Sequence, residues 1–576
     1  MCGIAGIVAE GSWREKVEAM SACLAHRGPD DSGLWSEPGV ALGHRRLAIL
    51  DLSPAGHQPM SHAGLTLVYN GEIYNYRELQ RELPGPFSST SDTEVLLHLY
   101  ARDGEPCVER LAGMFAFAVW DSRRRVLFAA RDRIGIKPLY YRELPGGGLA
   151  FASELKALTG LGELSLDRGA LGDFFSYKYV PAPKTIWSGV AKLPPGHCLR
   201  YDGRTLRIWR YWTPALEITE TDETRALSRL ETLLAEIVPA HTLADVPVGV
   251  FLSGGIDSTL LVAHLRQART FTVGFDVAGY SEAGAARRVA EHFGTEHHER
   301  TVGGVDVEQA LEAIPRMFDE PFGDSAAWST HVVAREARRE VTVALSGEGG
   351  DEVFSGYRHH GKWLAFRSSP LARGLARRLP PFSRAALSLL RRGAVDLERY
   401  AALIAPFTPA QKRALLVPEL VPDDHDDLWH FRRFWDPQLP PLRRMQWVEL
   451  NTLLPDGLLT KVDRTSMAVS LEVRPPLLDH RLVEFALSLD PALLRREGTG
   501  KLLLRRNLAG RVPAEVLARP KRGFSMPVSR WLADRPELVR EAMARLVVQG
   551  ILRTAKPPQL HSTQLWCLLV LDRWLR

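Results

Sequence analysis

Cys2 would stand first in the chain once Met1 is removed, and a leading cysteine carries a thiol and a free amine on one residue. Such an amine titrates near ~8 and can take the thiol proton directly or through a water, which makes a nucleophile with its own base. Asn70-Gly71, taken alone, reads as a tight hairpin turn. Beside a thiolate, however, the Asn70 side-chain amide and the Gly71 backbone N–H are the two donors an oxyanion hole needs. A second set of reactive groups lies far along the chain. Ser253-Gly254-Gly255-Ile256-Asp257-Ser258 ends an apolar run and opens a helical one, presenting backbone N–H groups, two hydroxyls and a helix start to an anion such as a di- or triphosphate. Ser346-Gly347-Glu348-Gly349-Gly350-Asp351-Glu352 ends another apolar run, and Asp257 and Asp351 can together hold a hard cation that bridges phosphates. The Walker pattern, GxxxxGK followed by Ser or Thr, is absent.

These groups need elements to hold them. Up to about residue 205, short apolar segments alternate with turn residues: Gly3 to Val8, Val40 to Leu50, Leu65 to Tyr69, and Met114 to Asp132, which reads as two strands joined by a polar turn. Asp92 to Arg102 reads as a helix capped by Ser91 or Asp92, with Glu94 in its first turn. This half is predicted to be α+β with much antiparallel sheet. After Tyr211-Trp212-Thr213-Pro214 the pattern changes, and a polar helical stretch from Thr221 to His241 leads into strand, loop and helix units built on Val248 to Leu252, Thr270 to Phe275 and Val341 to Leu345. Such alternation predicts a parallel sheet with helices on both faces, with both acidic loops in one crevice at the carboxyl ends of the strands. From about residue 360 the chain reads as mainly helical. Its Arg-rich stretch, Arg367 to Arg392, and its acidic run, Asp423 to Asp427, read as solvated helix faces and loop.

Composition narrows the classes. With 576 residues, 45% hydrophobic and 24% charged, the chain can fill the cores of two or three globular domains, which excludes global disorder and fibrous repeats. A surplus of 73 Lys+Arg over 68 Asp+Glu, +5, is too small over this length to argue for nucleic acid. Five cysteines without a CxxC pair argue against a disulfide framework or structural zinc and fit a reduced cytoplasm. No uncharged apolar run approaches the ~18 residues of a membrane span, and the first residues have neither a basic start nor a normal leader core.

A nucleophile that opens the side-chain amide of glutamine also needs a carboxylate and a guanidinium for the α-amino and α-carboxylate groups, and Asp92 and Arg46 are the candidates. CGIAGI, HRGPD, GHRRLAILD, GHQPM, YNGEIYNYREL, SDTE, GMFAFAVWD, RDRIGIKPLYY and ASELKAL together resemble the N-terminal-nucleophile glutamine amidotransferase domain. The resemblance implies an αββα sandwich over residues 1–212, Cys2 as nucleophile, Asn70 and Gly71 as oxyanion hole, and Arg46, Glu72 and Asp92 as glutamine contacts. SGGIDS resembles the loop of enzymes that split ATP into AMP and pyrophosphate, and LLPDGLLTKVDRTSMAVSLEVRPPLLDH with GTGKLLLR resembles the synthetase domain of glutamine-hydrolysing asparagine synthetases.

For residues 213–576 this implies an α/β parallel-sheet ATP-pyrophosphatase domain with a helical C-terminal part. Leu252, Ser253, Gly254, Gly255, Asp257, Ser258, Val273, Ser346 and Gly347 would contact ATP, and Asp257 and Asp351 would hold Mg²⁺. Glu348 matches a proposed base for ammonia, and Lys501 a residue that neutralises charge on the phosphates. The partners implied are glutamine, ATP and aspartate, with neither nucleic acid nor membrane, and a homodimer stays open. Around Asp324 to Thr330 the chain lacks a Thr-Thr-x-Arg pattern frequent in better-known asparagine synthetases, so the acceptor is the least determined substrate. Three alternatives stand beside aspartate amidation: the same chemistry on a sugar acid or a secondary-metabolite precursor, a ring-closing β-lactam synthetase, and a non-enzymatic relative.

Overall fold

The computed structural model describes all residues other than 1, 266, 276–280, 303–306, 369–395, 423, 520–525 and 556–558. In the first half, the apolar run Gly113–Asp121 is a strand whose alternate residues serve different layers. Ala116, Ala118 and Trp120 share a core with Ile4, Val8, Val40 and Leu42. Phe115, Phe117 and Val119 share another with Val95, Leu96 and Leu99 of the helix Asp92–Asp103. An apolar residue at every position is the signature of a strand buried on both faces. Two six-stranded antiparallel sheets are stacked in this way. One is centred on Gly3–Val8, between Val40–Arg46 and Leu149–Ala152; the other pairs Leu65–Ile73 with Gly113–Asp121. Helices Arg14–Ala22 and Arg168–Tyr177 join the outer core of the first sheet, and Tyr76–Arg81 and Asp92–Asp103 that of the second. The result is the αββα N-terminal-nucleophile sandwich.

One local expectation fails. Asn70-Gly71 is not a turn: strand Leu65–Ile73 runs through it, with Asn70 opposite Ala116 and Gly71 opposite Phe115. A two-residue hairpin needs positive φ at its centre, and neither residue has it. What requires glycine here is proximity, since a Cβ at Gly71 would overlap the Met114 carbonyl oxygen.

The second half is built on a five-stranded parallel sheet in the order Glu296–Val302, Arg269–Phe275, Val248–Phe251, Val343–Leu345, Glu472–Arg474. The chain turns from one side of the sheet to the other between Val248–Phe251 and Val343–Leu345, and a crevice opens at such a switch point. Both acidic loops leave these two adjacent strands. The edge strand Glu472–Arg474 is too short, at three residues, to carry a readable pattern. The acidic run is not simply a solvated face: Asp427 is buried and ion-paired with Lys412, Asp426 binds Arg432 at 2.7 Å, and His425 reaches Asp173 of the first half at 3.1 Å. Asp423 and nearly all of the Arg-rich stretch lie outside the described residues. Among the described residues no helix is long and apolar enough to cross a membrane.

The halves meet through buried charges. Arg27, fully buried, donates to Glu154 at 2.7 Å, to Asp463 at 2.8 Å and to the Cys2 carbonyl at 3.1 Å. Arg464 reaches Glu154 at 2.7 Å and Asp319 at 3.2 Å, and Lys156 bridges the same two carboxylates at 3.0 and 3.1 Å. Burial alone would raise the Glu154 carboxyl, but Arg464, His26 and Arg27 hold it well below the usual range. Breaking a buried ion pair from one side costs about 3–5 kcal/mol. Glu154→Gln is therefore expected to lower stability in chemical denaturation of the full chain by about that amount at neutral pH. Because the folded carboxyl is depressed, its contribution is present above the unfolded value and lost below it. The gap between wild type and variant should thus narrow as pH falls through about 4.3. An equal denaturation midpoint at neutral pH would remove the network from the forces that join the halves.

Candidate active sites

Cys2 immediately precedes the central strand Gly3–Val8 and is buried. Its N–H donates to Asn70 Oδ1 at 2.9 Å, and its Sγ lies 4.0 Å from the Leu47 carbonyl. Burial pushes the thiol up, so ionising it calls for a neighbouring base. With Oδ1 taken by the Cys2 N–H, Asn70 Nδ2 is a buried donor that makes no hydrogen bond to the described residues. A spare donor beside a nucleophile is what a developing oxyanion requires. Cys2, Arg46, Gly71, Glu72 and Asp92 line one small cavity.

The carboxylates and guanidinium expected to grip the substrate differ in how they are held. Arg46 donates to the carbonyls of Ser53 at 3.0 Å, Leu50 at 3.3 Å and Asp51, and so folds the loop that walls the cavity. Asp92 accepts from the Tyr69 hydroxyl at 2.7 Å and the Ile73 N–H at 2.9 Å, and burial raises its carboxyl to about 6. It sits there because Ser91 caps the helix, accepting from the Glu94 N–H. Glu72 is bound through Oε2 by Arg474 of the other half at 2.9 Å, while its buried Oε1 has no hydrogen-bond partner among the described residues.

In the second half, three loops converge. Gly254 has φ +67°, and a Cβ there would collide with the Ala285 backbone, so the turn after the strand ending at Phe251 admits only glycine. The Ser253 N–H donates to Ser258 Oγ at 3.2 Å, and the Gly255 N–H to Ser253 Oγ at 3.2 Å. Lys501, itself at φ +55°, places its ammonium between Asp257 and Asp351, 2.8 Å from the latter. Two carboxylates that share one ammonium are close enough to share a divalent cation, so the donor set fits Mg²⁺. Ser253, Gly255, Asp257, Asp351 and Lys501 line a cavity of about 780 Å³. Leu252, Val273 and Ser346 are buried at the strand ends and loop start beneath these loops, and Gly347 packs against Asp257.

Glu348 stands apart from that cluster. It lines a separate small cavity with Ile136, Lys137, Ser346 and Asp463, contributed by both halves, and Lys461 lies 3.9 Å away. Sequence reasoning missed Arg27, Glu154, Asp463 and Arg464, although all lie within segments it singled out, and it assigned nothing to Arg474. It also missed Arg358, Lys362, Arg495 and Arg519, which line the cavity beside Lys501; no motif sets them off from other surface cations. None of residues 324–330 lines that cavity. His359, His360 and Glu449 form a cluster of metal-binding types. They already satisfy one another, with His–carboxylate bonds of 2.6 and 2.9 Å.

Residues 1–212 match the glutamine amidotransferase domain family and residues 229–576 the asparagine synthase family. A protein named asparagine synthetase [glutamine-hydrolyzing] 1 from Bacillus subtilis is 34% identical, over 100% of this chain and 96% of its own length. A putative asparagine synthetase [glutamine-hydrolyzing] from Mycobacterium bovis is 37% identical over 100% and 97%. A protein named Amidase chry2 from Gibberella zeae is 28% identical over 92% and 90%. With a buried cysteine beside a spare amide donor in one half and two acidic loops at one crevice in the other, the chain belongs to the glutamine-hydrolysing asparagine synthetase family of carbon–nitrogen ligases.

Proposed function

We propose that the chain amidates L-aspartate to L-asparagine with glutamine as nitrogen donor, consuming ATP and releasing AMP, pyrophosphate and glutamate. Residues 1–212 form the glutaminase and 213–576 the synthetase. The observation that carries this reading is the two-sidedness of loop 346–352. Asp351, with Asp257 and Lys501, faces the nucleotide cavity, whereas Glu348 faces a cavity that both halves line. A carboxyl group activated on one side of the loop can be met by ammonia from the other.

In the glutaminase, the Cys2 thiolate attacks the glutamine amide carbon while Asn70 Nδ2 and the Gly71 N–H hold the oxyanion. The C–N bond breaks, ammonia leaves, and water cleaves the thioester to glutamate. Arg46 binds the substrate carboxylate, and Glu72 and Asp92 its ammonium. In the synthetase, Leu252 to Ser258, Val273, Ser346 and Gly347 seat ATP. Asp257 and Asp351 would hold Mg²⁺, which would supply positive charge to the phosphates when bound. A carboxylate oxygen of the acceptor attacks the α-phosphorus, the bond to the β-phosphate oxygen breaks, and pyrophosphate leaves against Lys501. Ammonia then attacks the acyl-AMP carbon, Glu348 takes its proton, and AMP departs. An interior route suits ammonia, which in water at neutral pH is mostly protonated. The five unpaired cysteines and the small-molecule substrates agree with a cytoplasmic setting.

A second reading keeps the chemistry and changes the acceptor to a sugar acid or a secondary-metabolite precursor. It is favoured by the absence of arginine at 324–330, while Arg358, Arg495, Arg505 and Arg519 line the nucleotide cavity.

Pyrophosphate and glutamate release measured against a panel of carboxylic acids tests both readings: aspartate should stand out, and a silent aspartate beside an active acid would replace it. In the same assay, Cys2→Ala should abolish glutamate release and glutamine-driven synthesis yet spare synthesis from ammonia at alkaline pH. Glutamine-supported product from that variant would mean that another residue opens the amide. Asp92 gives a pH signature. With a carboxyl titrating at about 6, roughly nine-tenths is ionised at pH 7 and one-tenth at pH 5. Glutaminase kcat/KM should therefore fall about tenfold more across that range than protonation of the Cys2 amine alone would cause, as the substrate ammonium loses its partner. The Asp92→Asn variant should be slow and lack that extra fall, and a wild-type profile parallel to the variant's would remove Asp92 from the substrate contacts.

A further inference from the structure

Strand Glu472–Arg474 is the edge of the parallel sheet, and it ends in a residue that serves both halves. Through its backbone Arg474 belongs to the synthetase: its carbonyl accepts the Ser346 N–H at 2.9 Å, at the start of the loop that carries Glu348 and Asp351. Through its side chain it belongs to the glutaminase. The guanidinium, fully buried, donates to Glu72 Oε2 at 2.9 Å, to Glu472 at 2.6 Å, and to the carbonyls of His241 and Leu243 at 2.9 and 2.7 Å, and it lies 5.8 Å from the centre of the Tyr74 ring. Glu72 in turn lies on the cavity beside Cys2, two positions after Asn70, with its Oε1 unpartnered among the described residues. A carboxylate held by one oxygen in a bidentate-capable fork has its other oxygen fixed in direction. Burial works to discharge Glu72, and Arg474 is the main group opposing it.

We infer that Arg474 is a positioning residue that couples the two active sites, aiming Glu72 at the ammonium of bound glutamine and tying that aim to the placement of the Ser346 loop. The inference rests on the amidation reading above. Nucleotide and acceptor bind against this loop, so a shift in it moves the Arg474 carbonyl, and a guanidinium held between Glu472 and Glu72 passes that shift on with little slack. Glutamine hydrolysis then rises when the synthetase is loaded, and ammonia is not released in vain.

The test uses Arg474→Lys and Arg474→Gln in the full chain, which keep the backbone bond to Ser346 while removing the fork. Glutamate and pyrophosphate are measured together, with glutamine and with ammonia as donors, with and without ATP and aspartate. Ammonia-driven pyrophosphate release should stay close to wild type. The KM for glutamine should rise roughly tenfold or more, the stimulation of glutaminase by ATP and aspartate should be lost, and glutamine-driven pyrophosphate release should fall severalfold. Wild-type stimulation and a wild-type KM for glutamine in both variants would overturn the inference. Loss of ammonia-driven synthesis in both would also overturn it, making Arg474 a support of the synthetase fold. Wild-type protein run alongside reports on the reading itself: no acceptor-dependent pyrophosphate there sinks the amidation, whereas a normal wild type with unaltered variants sinks only the coupling.

Discussion

A guanidinium that no water reaches has to be answered by carboxylates or it will not stay buried, and Arg27 is answered from both halves of the chain. Glu154 comes from the amidotransferase half and Asp463 from the synthase half, and the same side chain holds the carbonyl of Cys2. Because the desolvation cost of each charge is large, the attraction that offsets it demands close geometry, and poor geometry is penalised on both sides at once. The angle and distance between the halves are therefore set by charges that cannot relax. Arg464 and Lys156 extend the constraint to Asp319. Paired charges in low dielectric add a directional constraint to the apolar core that both halves share.

That fixed geometry gives the loop after Val343–Leu345 its two duties. On one face Asp351 and Asp257 share the Lys501 ammonium, so the acidic site carries its own counter-charge before any nucleotide arrives. Two carboxylates this close without a cation would raise each other's pKa. On the other face Glu348 looks toward the glutaminase. In the proposed function, this single glycine-rich turn would separate a phosphate chemistry that needs fixed positive charge from a proton transfer at Glu348. The two requirements conflict if they share one cavity, and the loop keeps them in two.

The predicted site residues that line the two cavities are legible because each lies in a short local motif. SGGIDS and SGEGGDE announce strand-to-helix turns, and Cys2 announces itself by position. The alternation in Gly113–Asp121 was read as strand, and its doubly apolar pattern reflects burial on both faces. What was not legible is long-range. Asn70-Gly71 has the local chemistry of a turn, and only the neighbouring strand, pressed against Gly71, makes it extended. The acidic run ending at Asp427 looks solvated until Lys412 and His425 find their partners in helix packing. Arg27 and Asp463 are 436 positions apart, and nothing local in either segment names the other.

The outer layer of the first sheet has one more implication. Helix Arg168–Tyr177, which covers that sheet, shares its core with Met543, Leu546, Leu568 and Leu571, and Trp187 meets Trp574 at 5.8 Å. The last helices of the chain thus finish a layer that the first 200 residues began. On a ribosome adding ~5–20 residues per second, the nascent glutaminase would wait roughly 20 to 70 seconds for that cover. Through that interval it shows solvent an apolar face, and the order of synthesis becomes a constraint on how this enzyme can be assembled.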